Sequence, residues 1–446
     1  MAEATCHVVT RALRRNPREI IAAALPGGAF RHILIKPNWV MHQSSAHFPI
    51  EALVTSTRLI EETIEACLER YPSVQEITVG DAGLQTCEFE LMSRQSGLAE
   101  LAAKYRNGQR GVPIQFLDLR RDRFRTRAGF QVRGDCSDGD PRGYRQVVLD
   151  RGSYLEEISR EANSFRVSDY DPEQTADSHA PGVHRYLIAA SVLDADLCIN
   201  MPKAKTHQKA GITGALKNLV GIVGDKACLV HYRVGTPPDG GDEFAPHTPA
   251  LVRLQVRWRE RLQQKSRWGF CAGRAAWQVL RRLRGIQTQG TPANLRKTYF
   301  RAGGAWPGND TIWRMIYDLN QIILYAPKQG GSLAATPQRS YLAVLDGLVA
   351  GEGDGPLQPL PVAAETLMVA NDPFLADCVL ARWMGFDYRR IPQLAHRTRF
   401  AAAGFGGFDP QTVLVQWDDK LIRGLGNLPA AWSFRPAPGW EEIQEG

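Results

Sequence analysis

The sequence predicts an α/β protein built on a mostly parallel sheet that is flanked by helices and carries an Arg- and Trp-rich helical insertion. Three observations support this fold class. Short apolar strands alternate with segments of helical periodicity, which is the pattern of a parallel sheet covered by helices. Several of these strands end in polar residues, and a single strongly basic segment, residues 251–301, interrupts the alternation.

The alternation is regular in the first 120 residues. Pro17 suits the first turn of a helix, and Pro37 ends a strand because proline cannot continue a central ladder. The predicted order is a strand at His7–Thr10, a helix after Asn16, a strand at His32–Lys36, a helix at Glu51–Glu69, a strand at Ile77–Val79, a helix at Glu90–Tyr105 and a strand at Pro113–Leu117.

The stretch Ala195–Lys226 organises the rest of the chain. It predicts a buried strand at Leu197–Asn200, a polar loop at Met201–Gln208 and a helix at Ala210–Val223. Cationic side chains of the loop precede the unpaired N–H groups at the helix start, an arrangement that favours a bound anion. The alternative is a solvated turn whose lysines keep the surface soluble. The glycines of the predicted helix favour the anion site, because glycine lowers helix stability but lets backbone approach a ligand closely.

The alternation resumes after the basic segment. The predicted elements there are a helix at Asn309–Ala326, a strand at Tyr341–Leu345, a glycine-rich acidic loop at Gly351–Pro356 and a strand at Thr366–Ala370. We therefore expect residues 1–250 and 302–390 to form one α/β core, residues 251–301 to be a basic insertion, and residues 391–446 to be a C-terminal tail that packs on the core.

Several motifs accompany this pattern. They are MPKAKTHQKAGITGALKNLVGIVGDK at Met201–Lys226, ILIKPNWV at Ile33–Val40, VGDAG at Val79–Gly83, GGDEF at Gly240–Phe244, PGNDTIWRMIYDLN at Pro307–Asn320, LDGLVAGEGDGP at Leu345–Pro356 and ANDPFLADCVLARWMG at Ala370–Gly385. Over roughly residues 30–386 the chain thus resembles the domain-of-unknown-function family numbered 362, from bacteria and archaea. The resemblance implies a fold and a set of positions, and it names no reaction.

Cysteine usage departs from one pattern of that family. Some of its members carry a ferredoxin-like cluster, which needs closely spaced thiolates. The eight cysteines here are scattered without a C-x-x-C pair, so we predict a variant that has no iron–sulfur cluster. Cys198 and Cys378 lie in apolar segments and are expected to be buried, inert thiols.

Charge is distributed unevenly along the chain. The net charge is +7, but residues 251–301 contain eleven Arg and two Lys against one acid, so this segment carries +12 and the remainder about −5. The sequence contains no run of about 18 apolar residues, so it predicts no membrane-spanning helix. The N-terminus lacks the pattern of a secretory signal, and a cytoplasmic protein is the expectation.

Polar residues follow five predicted strands: Lys36 and Asn38, Asp81, Asn200 with the loop after it, Asp346, and Asn371 with Asp372. Ligands of open parallel sheets bind outside the carboxyl ends of the strands. We predict catalytic roles for His207, Lys205 and Asp81, and substrate binding by Lys36, Asn38, Lys203, Thr206, Lys217 and Asn218. Clustered carboxylates need a neutralising cation, so Asp81, Asp346 and Asp372 are the candidate ligands of a divalent metal such as Mg²⁺. The competing interpretation is that these acids cap helices.

The pattern as a whole predicts an enzyme that acts on an anionic small molecule, bearing a phosphate or a carboxylate, with a divalent metal as a further component. The sequence has neither the G-x-S-x-G elbow of hydrolases nor a phosphate-binding P-loop. The alternative from another class is a non-catalytic protein that binds nucleic acid or another polyanion through the basic segment.

Overall fold

The computed structural model describes residues 4–127, 130–133, 139–160, 164–167, 172–246, 248–250, 253–254, 256, 303–400 and 404–445. Nearly all of the basic segment at 251–301, and with it the predicted helical insertion, lies outside these residues.

The strands, in chain order, are β1 Cys6–Val9, β2 His32–Lys36, β3 Glu76–Asp81, β4 Ile114–Asp118, β5 Phe124–Arg127, β6 Phe130–Arg133, β7 Tyr144–Val148, β8 Phe165–Arg166, β9 His179–Ala180, β10 Val183–Ala189, β11 Leu197–Asn200, β12 Lys203–His207, β13 Gly211–Ile212, β14 Tyr232–Arg233, β15 Gly331–Ser332, β16 Ser340–Asp354, β17 Gln358–Ala370, β18 Leu414–Trp417 and β19 Lys420–Arg423. The α-helices are α1 Pro17–Ala24, α2 Ile50–Leu53, α3 Thr57–Arg70, α4 Phe89–Ser96, α5 Leu98–Lys104, α6 Pro172–Ser178, α7 Ala190–Asp194, α8 Gly214–Asn218, α9 Ile312–Tyr325, α10 Pro373–Trp383 and α11 Pro392–Ala395.

The largest sheet of the described residues has eleven strands. Its main path is β19-β18-β1-β17-β16-β11-β2-β3-β4. In addition, β12 pairs with the second half of β16, and β13 pairs with β12. The strands β16, β11, β2, β3 and β4 are parallel to one another, whereas β17 lies antiparallel between β16 and β1. The carboxyl ends of the parallel strands therefore lie along one side of the sheet, which we call the carboxyl edge. The predicted α/β class with a mostly parallel sheet is confirmed.

Helices cover both faces of this sheet. Successive strand residues point to opposite faces, and in β2 Leu34 packs into one hydrophobic layer while Ile33 and Ile35 pack into the other. The first layer contains residues of α7, α8, α9 and α10, and the second contains residues of α1 to α5. Both faces of the central strands are buried, as in other parallel sheets.

The segment predicted as a polar loop at Met201–Gln208 contains the strand β12. The strand β16 is 15 residues long and continues past the end of β11. Without β12, the backbone groups of its second half would have no partner strand on this side. Lys203 lies opposite Asp346 in this pairing. A partner strand far away in sequence thus outweighs the polar composition of the segment. The predicted loop at Gly351–Pro356 begins within β16 for the same reason.

The predicted helix at Ala210–Val223 is also interrupted. It is replaced by β13, the five-residue helix α8 and a 3₁₀ turn at Leu219–Ile222. Gly211 and Gly214 have φ of 75° and 53°, a left-handed conformation that glycine tolerates and that a continuous right-handed helix excludes. The predicted helix at 90–105 is divided into α4 and α5 at Gly97, whose φ is 76°. The predicted helix at 51–69 is divided into α2 and α3, with extended backbone at Val54.

The C-terminal residues contribute to the same body. The strand β18 pairs in parallel with β1, and β19 completes the sheet edge. Trp440 is fully buried and its indole N–H donates to the carbonyl of Gln208, next to β12. These contacts place the end of the chain against the segment that carries the central motif.

Candidate functional site

A buried ion pair joins the ends of β2 and β3 at the carboxyl edge. Lys36 Nζ lies 2.7 Å from Asp81 Oδ1, and both side chains are almost entirely excluded from solvent. The Trp39 N–H donates to Asp81 Oδ2 at 2.6 Å. Burial lowers the pKa of Lys36, and the adjacent carboxylate opposes that effect. Gly221 covers the pair closely, since a Cβ at this position would lie 1.7 Å from Asp81 Oδ1.

A chain of amide side chains extends from this pair to β16. Lys36 Nζ and Asn38 Nδ2 donate to Asn218 Oδ1 at 3.1 and 2.8 Å. Asn218 Nδ2 donates to Asn200 Oδ1 at 2.7 Å, and Asn200 Nδ2 donates to the Tyr341 hydroxyl at 2.7 Å. These hydrogen bonds connect the ends of β2 and β11 with α8, so the central motif is fixed to the carboxyl edge by fully buried polar contacts.

A second ion pair joins β12 to β16. Lys203 Nζ lies 2.8 Å from Asp346 Oδ2, and both side chains are buried. Asp346 also accepts from the Ser56 N–H at 2.7 Å. Lys205 Nζ donates to the Leu53 carbonyl at 2.6 Å. The period of a strand places Lys203 and Lys205 on one face of β12.

Three further basic side chains of the described residues lie near these pairs. Lys217, at 8% exposure, belongs to α8, and Lys226, at 3% exposure, donates to the Val220 carbonyl at 2.8 Å. His207 Nδ1 accepts from the Lys209 N–H at 3.0 Å, which leaves the ring proton of the neutral form on Nε2. We call Lys36, Lys203, Lys205, Lys217 and Lys226 the lysine cluster.

The lysine cluster contains more amines than carboxylates that pair with them. Its five amines are all buried, while its ion pairs among the described residues involve only Asp81 and Asp346. Desolvation disfavours a charged lysine, and neighbouring cations add to the effect. The site is therefore prepared for an additional negative charge.

The pKa values of the site reflect this imbalance. Burial, followed by repulsion from Lys203, lowers the pKa of Lys205 well below its usual range. Burial and the neighbouring Lys209 lower the pKa of Lys217 to about 7, and burial lowers that of Lys226 to about 7. Burial and the Lys217 amine lower the pKa of His207 well below its usual range. Several groups of the cluster are thus able to exist without their proton near neutral pH.

The start of α8 is occupied by a carboxylate of the protein. Asp377 accepts from the N–H groups of Ala215 and Leu216 at 2.5 and 3.0 Å. Gly214 allows this contact, since a Cβ there would lie 2.3 Å from Asp377 Oδ1. Burial raises the pKa of Asp377 to about 7. The sequence predicts that this helix start binds an external anion, but Asp377 caps it internally, and the lysine cluster remains as the cationic feature of the site.

The structure does not bring the three predicted metal-binding acids together. Asp81 and Asp346 are each paired with a lysine. Asp372 follows the antiparallel strand β17, away from the carboxyl edge, and caps α10 by accepting from the Phe374 N–H at 2.7 Å. Within the described residues, no group of three or more His, Cys, Asp or Glu is placed to hold a metal ion.

Of the predicted substrate-binding residues, three contact one another and Thr206 contacts β16 instead. Lys36, Asn38 and Asn218 are in direct contact, as described above. The Thr206 hydroxyl instead donates to the Gly353 carbonyl at 2.9 Å, on the strand that carries Asp346.

Two basic residues of the site were not predicted. Lys226 lies in the GDK end of the central motif, a position that only its burial distinguishes. His231 has both ring nitrogens buried without a hydrogen-bond partner in the described part of the chain. Its sequence surroundings carry no signal of this environment.

Comparisons with known proteins concern the family and the fold. A family model described as Domain of unknown function (DUF362) matches residues 134–382. No curated protein matches the chain. A crystal structure of a protein from Thermotoga maritima is similar at 10% identity and a TM-score of 0.31, over 77% of this chain. The matched region covers 52% of that structure, so this chain corresponds to about half of its length. No helix of the described residues is long and apolar enough to cross a membrane.

Proposed function

Because this chain belongs to the family Domain of unknown function (DUF362), whose description names no reaction, we propose its function from its own site: it is an enzyme that acts on an anionic small molecule bound by the lysine cluster. The ligand carries a phosphate or a carboxylate group. One observation carries the proposal. Five buried lysines stand against two carboxylates, and each of those carboxylates is already engaged by a lysine.

An imbalance of this kind is costly in a protein without a ligand. Each desolvated ammonium loses its hydration, and like charges nearby raise that cost. An arriving anion would supply the missing negative charge and recover part of the free energy. Hydrogen bonds already fix the side-chain amides of Asn38, Asn200 and Asn218 before a ligand binds, which lowers the entropic cost of binding.

Catalysis is proposed because groups of the cluster titrate close to neutral pH. A general acid or base works best when its pKa is near the working pH, and the pKa of Lys217 is lowered to about 7. Lys205 and His207 are further candidates for proton transfer, since burial favours the neutral form of both. Asp81 has a supporting role in this proposal, in which it holds Lys36 in place at 2.7 Å.

A divalent metal enters the proposal only as a companion of the ligand. The carboxylates at the carboxyl edge face lysines in the structure, so an ion such as Mg²⁺ would arrive with a ligand phosphate. Binding of nucleic acid by residues 251–301 stays a separate prediction that is based on the +12 charge of that segment.

The first experiment measures anion binding by calorimetry. Inorganic phosphate and small carboxylates are titrated into the wild-type protein and into the variants Lys217→Met and Lys205→Met. The matched control is Lys420→Met, which alters an exposed lysine of β19. We expect binding in the wild type and control, and a clear loss in the two cluster variants. Equal binding in all four proteins, or none in the wild type, would contradict the proposal.

The second experiment tests catalysis. The purified protein is incubated with pools of phosphorylated and carboxylated metabolites, and mass spectrometry measures which compounds are consumed. We expect the wild type and the Lys420→Met control to consume a compound that Lys205→Met does not consume. Binding without turnover of any anionic metabolite would reduce the protein to an anion receptor.

A further inference from the structure

Lys217 differs from the other lysines of the cluster in what its amine contacts. The other four amines each reach an oxygen of the protein: Lys36 reaches Asp81 and the Pro37 carbonyl, Lys203 reaches Asp346, Lys205 reaches the Leu53 carbonyl, and Lys226 reaches the Val220 carbonyl. For Lys217, no ion pair or hydrogen-bond acceptor is present among the described residues, although the side chain is only 8% exposed.

The surroundings of Lys217 are cationic. Lys36 and Lys209 lie close enough to disfavour its charged form. In turn, the charge of Lys217 lowers the pKa values of Lys205 and His207, which belong to β12. It also lowers those of Lys226 and His231, which follow α8 in the sequence. Lys217 is therefore coupled to both of these groups of basic residues.

An amine in this setting has the two properties that a lysine nucleophile needs. It must be neutral, because a protonated amine has no electron pair to donate. A lysine that is desolvated and next to other cations meets this requirement. It must also be reachable, and the residual exposure of Lys217 distinguishes it from Lys205, which is fully buried.

We propose that the Lys217 amine condenses with the carbonyl group of an anionic carbonyl compound, such as a 2-oxo acid or a phosphorylated aldehyde, to form an imine. This inference rests on the proposed function, because the same cluster must bind the anionic group. The neighbouring amines would hold the carboxylate or phosphate while the carbonyl carbon faces Lys217.

The condensation balances without a further reactant. The amine nitrogen attacks the carbonyl carbon, a C–N bond forms, and the π electrons of the carbonyl move to oxygen. After proton transfer from nitrogen to oxygen, this intermediate is a carbinolamine. The nitrogen lone pair then forms the C=N bond as the hydroxyl leaves with one proton from solvent, so that one water is released and the imine is protonated.

A trapping experiment tests this step. The wild-type protein is incubated with glyoxylate or with glyceraldehyde 3-phosphate, and cyanoborohydride reduces any imine to a stable secondary amine. Propionaldehyde, which is neutral, serves as the comparison. Peptide mass spectrometry then identifies the modified lysine. We expect Lys217 to be labelled by at least one anionic aldehyde, at least about tenfold faster than by propionaldehyde, because the cluster attracts the negative group.

Two variants complete the design. Lys217→Arg places a permanent positive charge at this position but has no nucleophilic amine, so anion binding should persist and labelling should be lost. Lys420→Arg alters an exposed lysine of β19, away from the lysine cluster, and labelling at Lys217 should remain. If Lys217→Arg does not fold, the site identified in the wild type decides the question.

The outcomes separate this inference from the proposed function. Phosphate binding with no label on Lys217, or with label spread evenly over exposed lysines such as Lys420, overturns the imine and leaves the anion site intact. Labelling by glyoxylate alone identifies a carboxylate-bearing carbonyl compound as the ligand class. Labelling by the phosphorylated aldehyde alone identifies a phosphate-bearing one. Absence of all anion binding rejects the proposed function itself.

Discussion

Replacing Lys217 by methionine is expected to stabilise the protein, although the residue belongs to the candidate site. The side chain is only 8% exposed and its amine has no partner in the described residues, and methionine fills a similar volume without a charge. Replacing a buried ion pair by well-packed apolar side chains often raises stability, by up to about 1–4 kcal/mol, and an amine without a partner has no attraction to lose.

The pKa of the residue sets an upper limit on the gain. A fall from the usual 10.5 to about 7 corresponds to at most about 5 kcal/mol in the free energy of unfolding. The unfolded chain binds more protons at this residue between pH 7 and 10.5. The cost of burying Lys217 is therefore absent above pH 10.5 and grows as the pH falls to about 7. The advantage of the variant should be largest at pH 7 and should vanish near pH 10.5.

Urea denaturation followed by tryptophan fluorescence measures this difference. The wild type, Lys217→Met and the exposed-lysine control Lys420→Met are unfolded at several pH values from 7 to 10. The control should follow the wild type throughout. A variant that is less stable than the wild type at pH 7, or a difference that does not shrink as the pH rises, would refute the reasoning. In either case Lys217 would have a stabilising partner.

Asp346→Asn should lower the free energy of unfolding by about 3–5 kcal/mol, because it leaves the buried Lys203 without its carboxylate; a loss below about 1 kcal/mol in denaturant curves would show that the pair contributes little. Gly221→Ala should abolish phosphate binding in calorimetry, since its Cβ would lie 1.7 Å from a carboxylate oxygen of the site, whereas Gly27→Ala, with no atom within 4 Å, is the neutral control. Chelator-treated protein titrated with Mg²⁺ alone should release no heat of binding, because lysines hold the acids of the carboxyl edge; binding without an anion would show a metal site. Replacing the arginines within residues 281–284 by alanine should leave phosphate affinity unchanged, and nucleic-acid binding that is strongly salt-dependent and lost in this variant would support the polyanion function.

Residues that follow predicted strands were located well from the sequence. Lys36 and Asp81 each end a short apolar stretch, and a parallel sheet places such ends together, so their contact follows from local patterns alone. Asn218 was found through the central motif, and it forms hydrogen bonds with both Lys36 and Asn38. These positions depend on strand order near the centre of the sheet, which the alternation of elements constrains.

Features that depend on distant pairings could not be predicted in the same way. The alternation Lys-Ala-Lys-Thr-His in β12 suits a strand, but only the extended second half of β16 supplies its partner. The cap on α8 comes from Asp377, more than 160 residues away. The sequence pattern groups Asp372 with Asp81 because both follow strands, whereas the antiparallel direction of β17 takes Asp372 away from the carboxyl edge.

The chain of amides between Lys36 and Tyr341 has a fixed direction. The oxygen of Asn218 faces the Lys36 ammonium, and a reversed amide would put its NH₂ group against that cation. The orientation of Asn218 then sets that of Asn200, whose NH₂ group must donate to the Tyr341 hydroxyl. That hydroxyl keeps its own proton to donate elsewhere. A single charge at the end of β2 thus determines which way a hydroxyl on β16 presents its hydrogen, without any intervening group that gains or loses a proton.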